Sequence, residues 1–251
     1  MRVVSMVPSW TETLLRAGID VVGRTRFCVH PPQSITRIPV VGGTKEADWA
    51  LIGDLKPDLV ILDKEENPLE MAEECPIPYL ATHVDSLEGL ERELKVLAER
   101  FDNPYLADLA VLCSKVVAHP PLKWDAKNIP GFMDWVKAPT QDYEKVAYLI
   151  WKNPWMGVGS KTYIGSVLKK LGAQVKELHE GEKYPVMELE EINDCFLLFS
   201  SEPFPFHRKI KDLRELNLEG AVVDGECFSW FGVRSLEFLA GYLKLQNNFL
   251  R

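Results

Sequence analysis

Arg2-Val3-Val4-Ser5-Met6-Val7-Pro8-Ser9-Trp10-Thr11-Glu12-Thr13-Leu14-Leu15-Arg16-Ala17-Gly18 opens the chain, and its reading decides the fold. Val3 to Val7 is a short apolar run that Pro8 and Ser9 stop, the shape of a buried strand. Thr11 to Ala17 is apolar at helical spacing, and Gly18 is placed to end the helix in the left-handed conformation. Ser9-Trp10-Thr11-Glu12 has the pattern of a capping box, with Ser9 as N-cap and Glu12 as its reciprocal partner. A strand, a turn and a helix in that order form the first unit of a parallel α/β sheet.

Outward from this unit the pattern continues. Val21-Val22-Gly23 reads as a strand, Asp48 to Leu55 as a helix stopped by Lys56-Pro57, and Asp58 to Asp63 as a continuously apolar strand. Pro78 to Ala81 gives another strand, and Ser86 to Phe101 a helix capped by Ser86. Continuous apolar strands alternating with helices predict a mostly parallel sheet covered on both faces. Pro104 to Ala118 is helical by spacing and ends at Pro120-Pro121, so a helix is expected to join two halves. In the second half, Met156 to Gly159 leads into a helix from Ser160 to Leu171, with Ser160 as its cap. Ala173 to Val175 follows as a strand, then a helical turn at Leu189 to Ile192. Cys195 to Phe199 and Ala221 to Asp224 are strands, and Val233 to Leu245 is the last helix. Residues 119–143 show no period and read as irregular. The expected organisation is an N-terminal α/β lobe at 1–102, a connecting helix at 103–119 and a C-terminal α/β lobe at 120–251.

Composition narrows the function. Of 251 residues, 46% are hydrophobic and 26% charged, ordinary for a globular chain. The net charge of −8 repels phosphate backbones, and no long basic block compensates, so a nucleic-acid partner is excluded. No segment approaches the roughly 20 apolar residues of a membrane span, which argues against insertion. The opening apolar run is too short for a secretory leader, so the chain as written reads as cytoplasmic, or extracytoplasmic if a leader has been removed. Five cysteines, odd in number and without paired spacing, read as free thiols.

In open parallel sheets, ligands bind beyond the carboxyl ends of the strands. The loops there hold Ser9, Trp10, Arg26, Phe27, Glu65 and Glu66 in the first half. In the second they hold Trp155, Ser160, Glu202, Phe204, Glu226 and Trp230. Large rings on loops offer flat apolar area with little entropy to lose, which suits a planar or macrocyclic ligand.

Four stretches carry a family resemblance: Val4 to Thr13, Leu55-Lys56-Pro57-Asp58-Leu59-Val60, Ser200-Ser201-Glu202-Pro203 and Asp224 to Trp230. Together they resemble the cobalamin and iron-siderophore class of ABC-importer substrate-binding proteins, in its cobalamin-binding-like, helical-backbone metal receptor branch. The resemblance covers nearly the whole chain and is weakest at 119–143. It implies two Rossmann-like lobes joined by one connecting helix, as in class III periplasmic binding proteins. It also implies an interlobe site for a corrinoid or iron chelate, with Glu226 as the acidic residue after the last strand and Trp10 and Trp230 as ring contacts. A permease would dock through Glu70. The role that the resemblance implies is binding without catalysis.

The competing reading is a metal-binding protein or metal-dependent enzyme. Cys28 and His30 are its candidate ligands, joined by Glu65, Glu66, Glu202, Glu226 and Cys227. Gly157 to Thr162 has a glycine turn, a lysine and a hydroxyl, but not the G-x-x-x-x-G-K-[ST] spacing that cradles phosphate. Nor is there a G-x-S-x-G elbow for a nucleophilic serine.

Overall fold

The computed structural model describes residues 1–179 and 181–246. They divide into two compact units: Met1–Val116 with Trp230–Ala240, and Val117–Ser229 with the chain from Gly241 onward. The helix Pro104–Ala118 carries the chain from the first unit towards the second.

The sheet of the first unit is parallel throughout. Its strands are β1 (Arg2–Ser5), β2 (Asp20–Arg24), β3 (Leu59–Asp63) and β4 (Tyr79–Thr82), in spatial order β2-β1-β3-β4. Every residue of Leu-Val-Ile-Leu-Asp in β3 is buried, as a strand covered on both faces requires. Val4, Met6, Ile52, Val60, Leu62 and Met71 pack into one core cluster on this sheet. Between the strands lie the helices expected from the sequence, among them Trp49–Asp54, capped by Asp48, and Leu87–Phe101, capped by Ser86.

The first helix corrects one expectation. It spans Pro8–Arg16, with Val7 as a cap residue that makes no side-chain bond. Proline at the first helical position loses nothing, because its missing N–H would have had no partner there. Ser9 lies inside the helix and forms no capping box; Glu12 instead receives both arms of the Arg234 guanidinium at 2.9 Å. Gly18 does take the left-handed conformation, with φ of 74°.

The sheet of the second unit is mixed. Its strands are β5 (Phe132–Lys137), β6 (Lys145–Trp151), β7 (Met156–Gly157), β8 (Gln174–Val175), β9 (Phe196–Ser200) and β10 (Gly220–Val223). The order is β5-β10-β9-β6-β7, with β8 also on β6; β5 and β7 run antiparallel to their neighbours. Phe199, Phe206, Leu197, Leu149 and Val222 form the centre of its core. Two sequence expectations are corrected here. The segment 119–143 is not wholly irregular, because it contains β5. The helix after β7 spans Tyr163–Lys170 and is capped by Thr162, whose hydroxyl accepts from Gly165 N–H at 2.9 Å, not by Ser160.

Candidate functional site

In the first unit, the loops beyond the carboxyl ends of the strands are held by buried and half-buried polar anchors. The turn after β2 is pinned by Arg24. Its Nε donates to the carbonyls of Ile35 and Ile38, and its Nη1 to those of Thr25 and Cys28, all at 3.0–3.2 Å. Cys28 closes the turn by donating its N–H to Thr25 O. That geometry turns Cys28 inward and Arg26 and Phe27 outward. Phe27 is 49% exposed, and the Arg26 guanidinium lies 4.9 Å from its ring centroid while pairing with Glu46.

Trp10 is placed differently from an open ring contact. It is fully buried; its indole N–H donates to Thr82 Oγ1 at 2.8 Å, and its ring meets the edge of Phe231 at 5.2 Å. Thr82 Oγ1 lies 2.6 Å from Asp63 Oδ2, and the Asp63 carboxylate also accepts the N–H groups of Glu65 and Val84. Burial raises the Asp63 pKa above the ordinary aspartate value, against these hydrogen bonds. Asn67 completes the frame: its amide donates to Met6 O and Thr44 O and accepts from Asp63 N–H. This frame holds the loop Lys64–Asn67 and sets Glu65 and Glu66, both half-buried, at its surface. Glu65 Oε1 lies 2.9 Å from His83 Nε2.

Trp230 belongs to the same unit. It is half-buried, with His30 edge-on at 5.2 Å and the Arg234 guanidinium 5.9 Å from its ring centroid. Behind it, Gly232 sits at φ of 91°, and a Cβ there would come within 2.3 Å of Thr13 Oγ1. Only glycine permits that approach.

In the second unit, acidic side chains follow β9 and β10. After β9, Glu202 Oε1 accepts from Ser229 Oγ at 2.6 Å. After β10, Ser201 Oγ accepts from Gly225 N–H, and Asp224 Oδ1 accepts from Glu226 N–H. The segment after β10, expected as a loop, begins with a short helix, Gly225–Ser229, that carries Glu226; a Cβ on Gly225 would lie 2.3 Å from Ser200 Oγ, so this helix start packs directly on the end of β9. Beneath them, the buried Tyr148 hydroxyl donates to Ser200 Oγ. Burial drives its pKa up. Beside the acidic groups lies an aromatic cluster. Trp155 stacks on Phe206 at 5.9 Å, and Phe204 bridges Phe206 at 4.7 Å and Trp151 at 5.7 Å. Trp151 is 42% exposed, and sequence reasoning misses it because it assigns no strand to Lys145–Trp151. The run Tyr148-Leu149-Ile150-Trp151 before Asn153-Pro154 was the available signal. Ser160 is exposed; its N–H donates to Glu177.

The metal reading finds no support in this geometry. Cys28 is buried between the hydroxyls of Thr11 and Thr25, at 3.1 and 3.2 Å, and burial raises its thiol pKa. Among the described residues, no three His, Cys, Asp or Glu side chains are grouped so that they could hold a metal ion. Also among the described residues, no helix is long and apolar enough to cross a membrane.

No family model and no curated protein sequence matches the chain. Solved structures do resemble it over almost its full length. The periplasmic vitamin B12 binding protein BtuF of Vibrio cholerae is 16% identical with a TM-score of 0.68, covering 97% of this chain and 96% of that one. IsdE of S. aureus, complexed with heme, is 17% identical with a TM-score of 0.71, covering 100% and 99%. An ABC transporter substrate-binding protein from Listeria monocytogenes is 17% identical with a TM-score of 0.69, covering 99% and 98%. The chain therefore has the two-unit α/β fold of the class III periplasmic binding proteins. That fold is the one the sequence motifs implied.

Proposed function

We propose that this protein is the substrate-binding component of an ABC importer. Its ligand is a planar or macrocyclic metal chelate of corrinoid or heme type, held by the loops that follow its strands and released unchanged. The observation that carries the reading is the fold likeness to B12- and heme-binding proteins along nearly the entire chain. The exposed Phe27, on a turn fixed by Arg24, gives it a chemical counterpart in this chain. Ring area presented on a pinned turn is already organised for a flat ligand, so little entropy is lost on binding.

In this assignment Phe27, Arg26, Trp230, Trp155 and Phe204 contact the ligand. Glu65, Glu66, Glu202 and Glu226 are its polar contacts, with Ser160 at the rim. Ser9, Trp10 and Cys28 are buried and hold the loops instead of touching the ligand. Glu70, exposed on the helix Leu69–Glu73, is the proposed docking residue for a permease, with the binding step outside the cytoplasmic membrane.

Titration with hemin and with cyanocobalamin, followed by tryptophan fluorescence and visible absorption, tests the proposal. One of the two should quench fluorescence and be recovered intact. Phe27→Ala and Trp230→Ala should each weaken it about ten-fold, since a lost ring contact of about 1.4 kcal/mol is a factor of ten. Failure of both chelates to bind, or their chemical conversion, would refute the reading.

A further inference from the structure

The second unit contains a groove that the proposed ligand surface does not use. It has a volume of about 710 Å³ and is walled by the segment Leu122–Asn128, by Asp142–Glu144 immediately before β6, and by Tyr242. Asp142–Glu144 precede β6 and therefore lie at the amino end of that strand, whereas Glu202 and Glu226 follow β9 and β10, which run parallel to it. The volume falls in the range of about 300–1,000 Å³ that small-molecule sites occupy.

The walls are tied down. Leu122 N–H donates to Lys170 O, and Lys170 Nζ donates to the carbonyls of Val117 and His119. Gly172, at φ of 85°, lets the backbone of Leu122 approach so closely that a Cβ would lie 2.1 Å from its carbonyl oxygen. The Tyr143 hydroxyl donates to Glu219, and the Tyr242 hydroxyl to Asn128 O. A stretch without periodic pattern is thus fixed as a preformed wall.

One wall residue keeps an unmet requirement. Trp124 is only 9% exposed, and its buried indole N–H has no hydrogen-bond partner among the described residues. A buried donor left unpaired costs about 1–3 kcal/mol, which a ligand acceptor would recover. The charges set the kind of ligand. Lys127 pairs with Asp142 at 3.6 Å, while Lys123, Asp125 and Glu144 also line the groove. A phosphate would meet three carboxylates and a cation two ammonium groups, so a neutral molecule is disfavoured by neither set. The half-buried Tyr143 and Tyr242 add ring surface to the lining, and the polar groups offer both donors and acceptors.

From this we infer that the groove is a second ligand site, specific for a neutral polyhydroxylated ring compound of mono- or disaccharide size. Saturation-transfer NMR and calorimetry with glucose and maltose test it, with glucose 6-phosphate and choline as the anionic and cationic comparators. A neutral sugar should bind in the millimolar range and bind more tightly than either charged comparator. Trp124→Phe, which keeps a ring but removes the donor, should weaken binding about five-fold, the worth of a neutral hydrogen bond near 1 kcal/mol. Lys123→Ala, at an exposed position, should weaken it too while leaving the fold intact. No saturation transfer from either sugar, tighter binding of a charged comparator, or full affinity in a folded Trp124→Phe protein would each overturn the inference.

Discussion

The two sheets of this protein are built from the same sequence grammar and differ in how much of it they keep. In the first, four strands run parallel and the central pair, β1 and β3, lies buried. In the second, β6, β9 and β10 follow the same rule, but β5 and β7 are antiparallel additions at the edges. Strand β5 has only one buried residue, Val136, whereas all five residues of β9 are buried. Central strands owe their stability to apolar area removed from water, edge strands mainly to backbone pairing, and a mutation should weigh accordingly.

Four experiments sharpen that contrast. The largest effect is expected from Phe199→Ala in β9, a fully buried ring, at about 3–5 kcal/mol in urea denaturation. The matched change Phe132→Ala in β5, 41% exposed, should cost less than about 1.5 kcal/mol. Equal losses would break the distinction between centre and edge. Next is Thr82→Val, which removes the hydroxyl standing between the Trp10 indole N–H and the Asp63 carboxylate. Buried polar groups left unpaired cost about 1–3 kcal/mol each, so the thermal midpoint should fall by several degrees.

Two glycines separate space from conformation. Gly225→Ala would drive a methyl group into Ser200 Oγ and Glu202, and should lower stability by about 1–3 kcal/mol. Gly18→Ala meets nothing within 4 Å and should cost only about 1 kcal/mol, from its positive φ. Reversal of that order in chemical denaturation would show that the contact between the helix start at Gly225 and the end of β9 yields more than its packing implies.

The smallest effect is electrostatic. Hydrogen bonding to Lys176 is the main cause that lowers the Asp194 pKa to about 2. A depressed folded-state pKa contributes stability above the unfolded value near 4 that is lost as pH falls through the folded value. Asp194 is 45% exposed, so solvent screening makes the contribution modest. Wild type should therefore lose a little more stability than Asp194→Asn between about pH 4 and pH 2 in melting experiments.

Legibility in the sequence followed burial. Leu59 to Asp63 and Phe196 to Phe199 announced themselves as unbroken apolar runs, and Gly18 and Ser86 as helix punctuation. Strand β5, Phe-Met-Asp-Trp-Val-Lys, neither alternates cleanly nor runs apolar, and its pairing with β10 is the reason it is a strand. The strand-end loops were legible as places, but not the orientation of their side chains. Phe27 and Trp10 both read as loop rings in the sequence; Phe27 faces solvent from its turn, whereas Trp10 lies in the helix Pro8–Arg16 and donates its indole N–H to Thr82, 72 residues away.

By itself the sequence determined the α/β architecture and the principal parallel strands, because hydrophobic period and turn residues are local properties. Tertiary structure alone decided which of the strand-end residues are anchors and which are surface, where the helix caps fall, and that β5 and β7 complete the second sheet. Those outcomes depend on partners distant in the chain, such as Arg234 for Glu12 and Thr82 for Trp10, and no local pattern encodes such pairings.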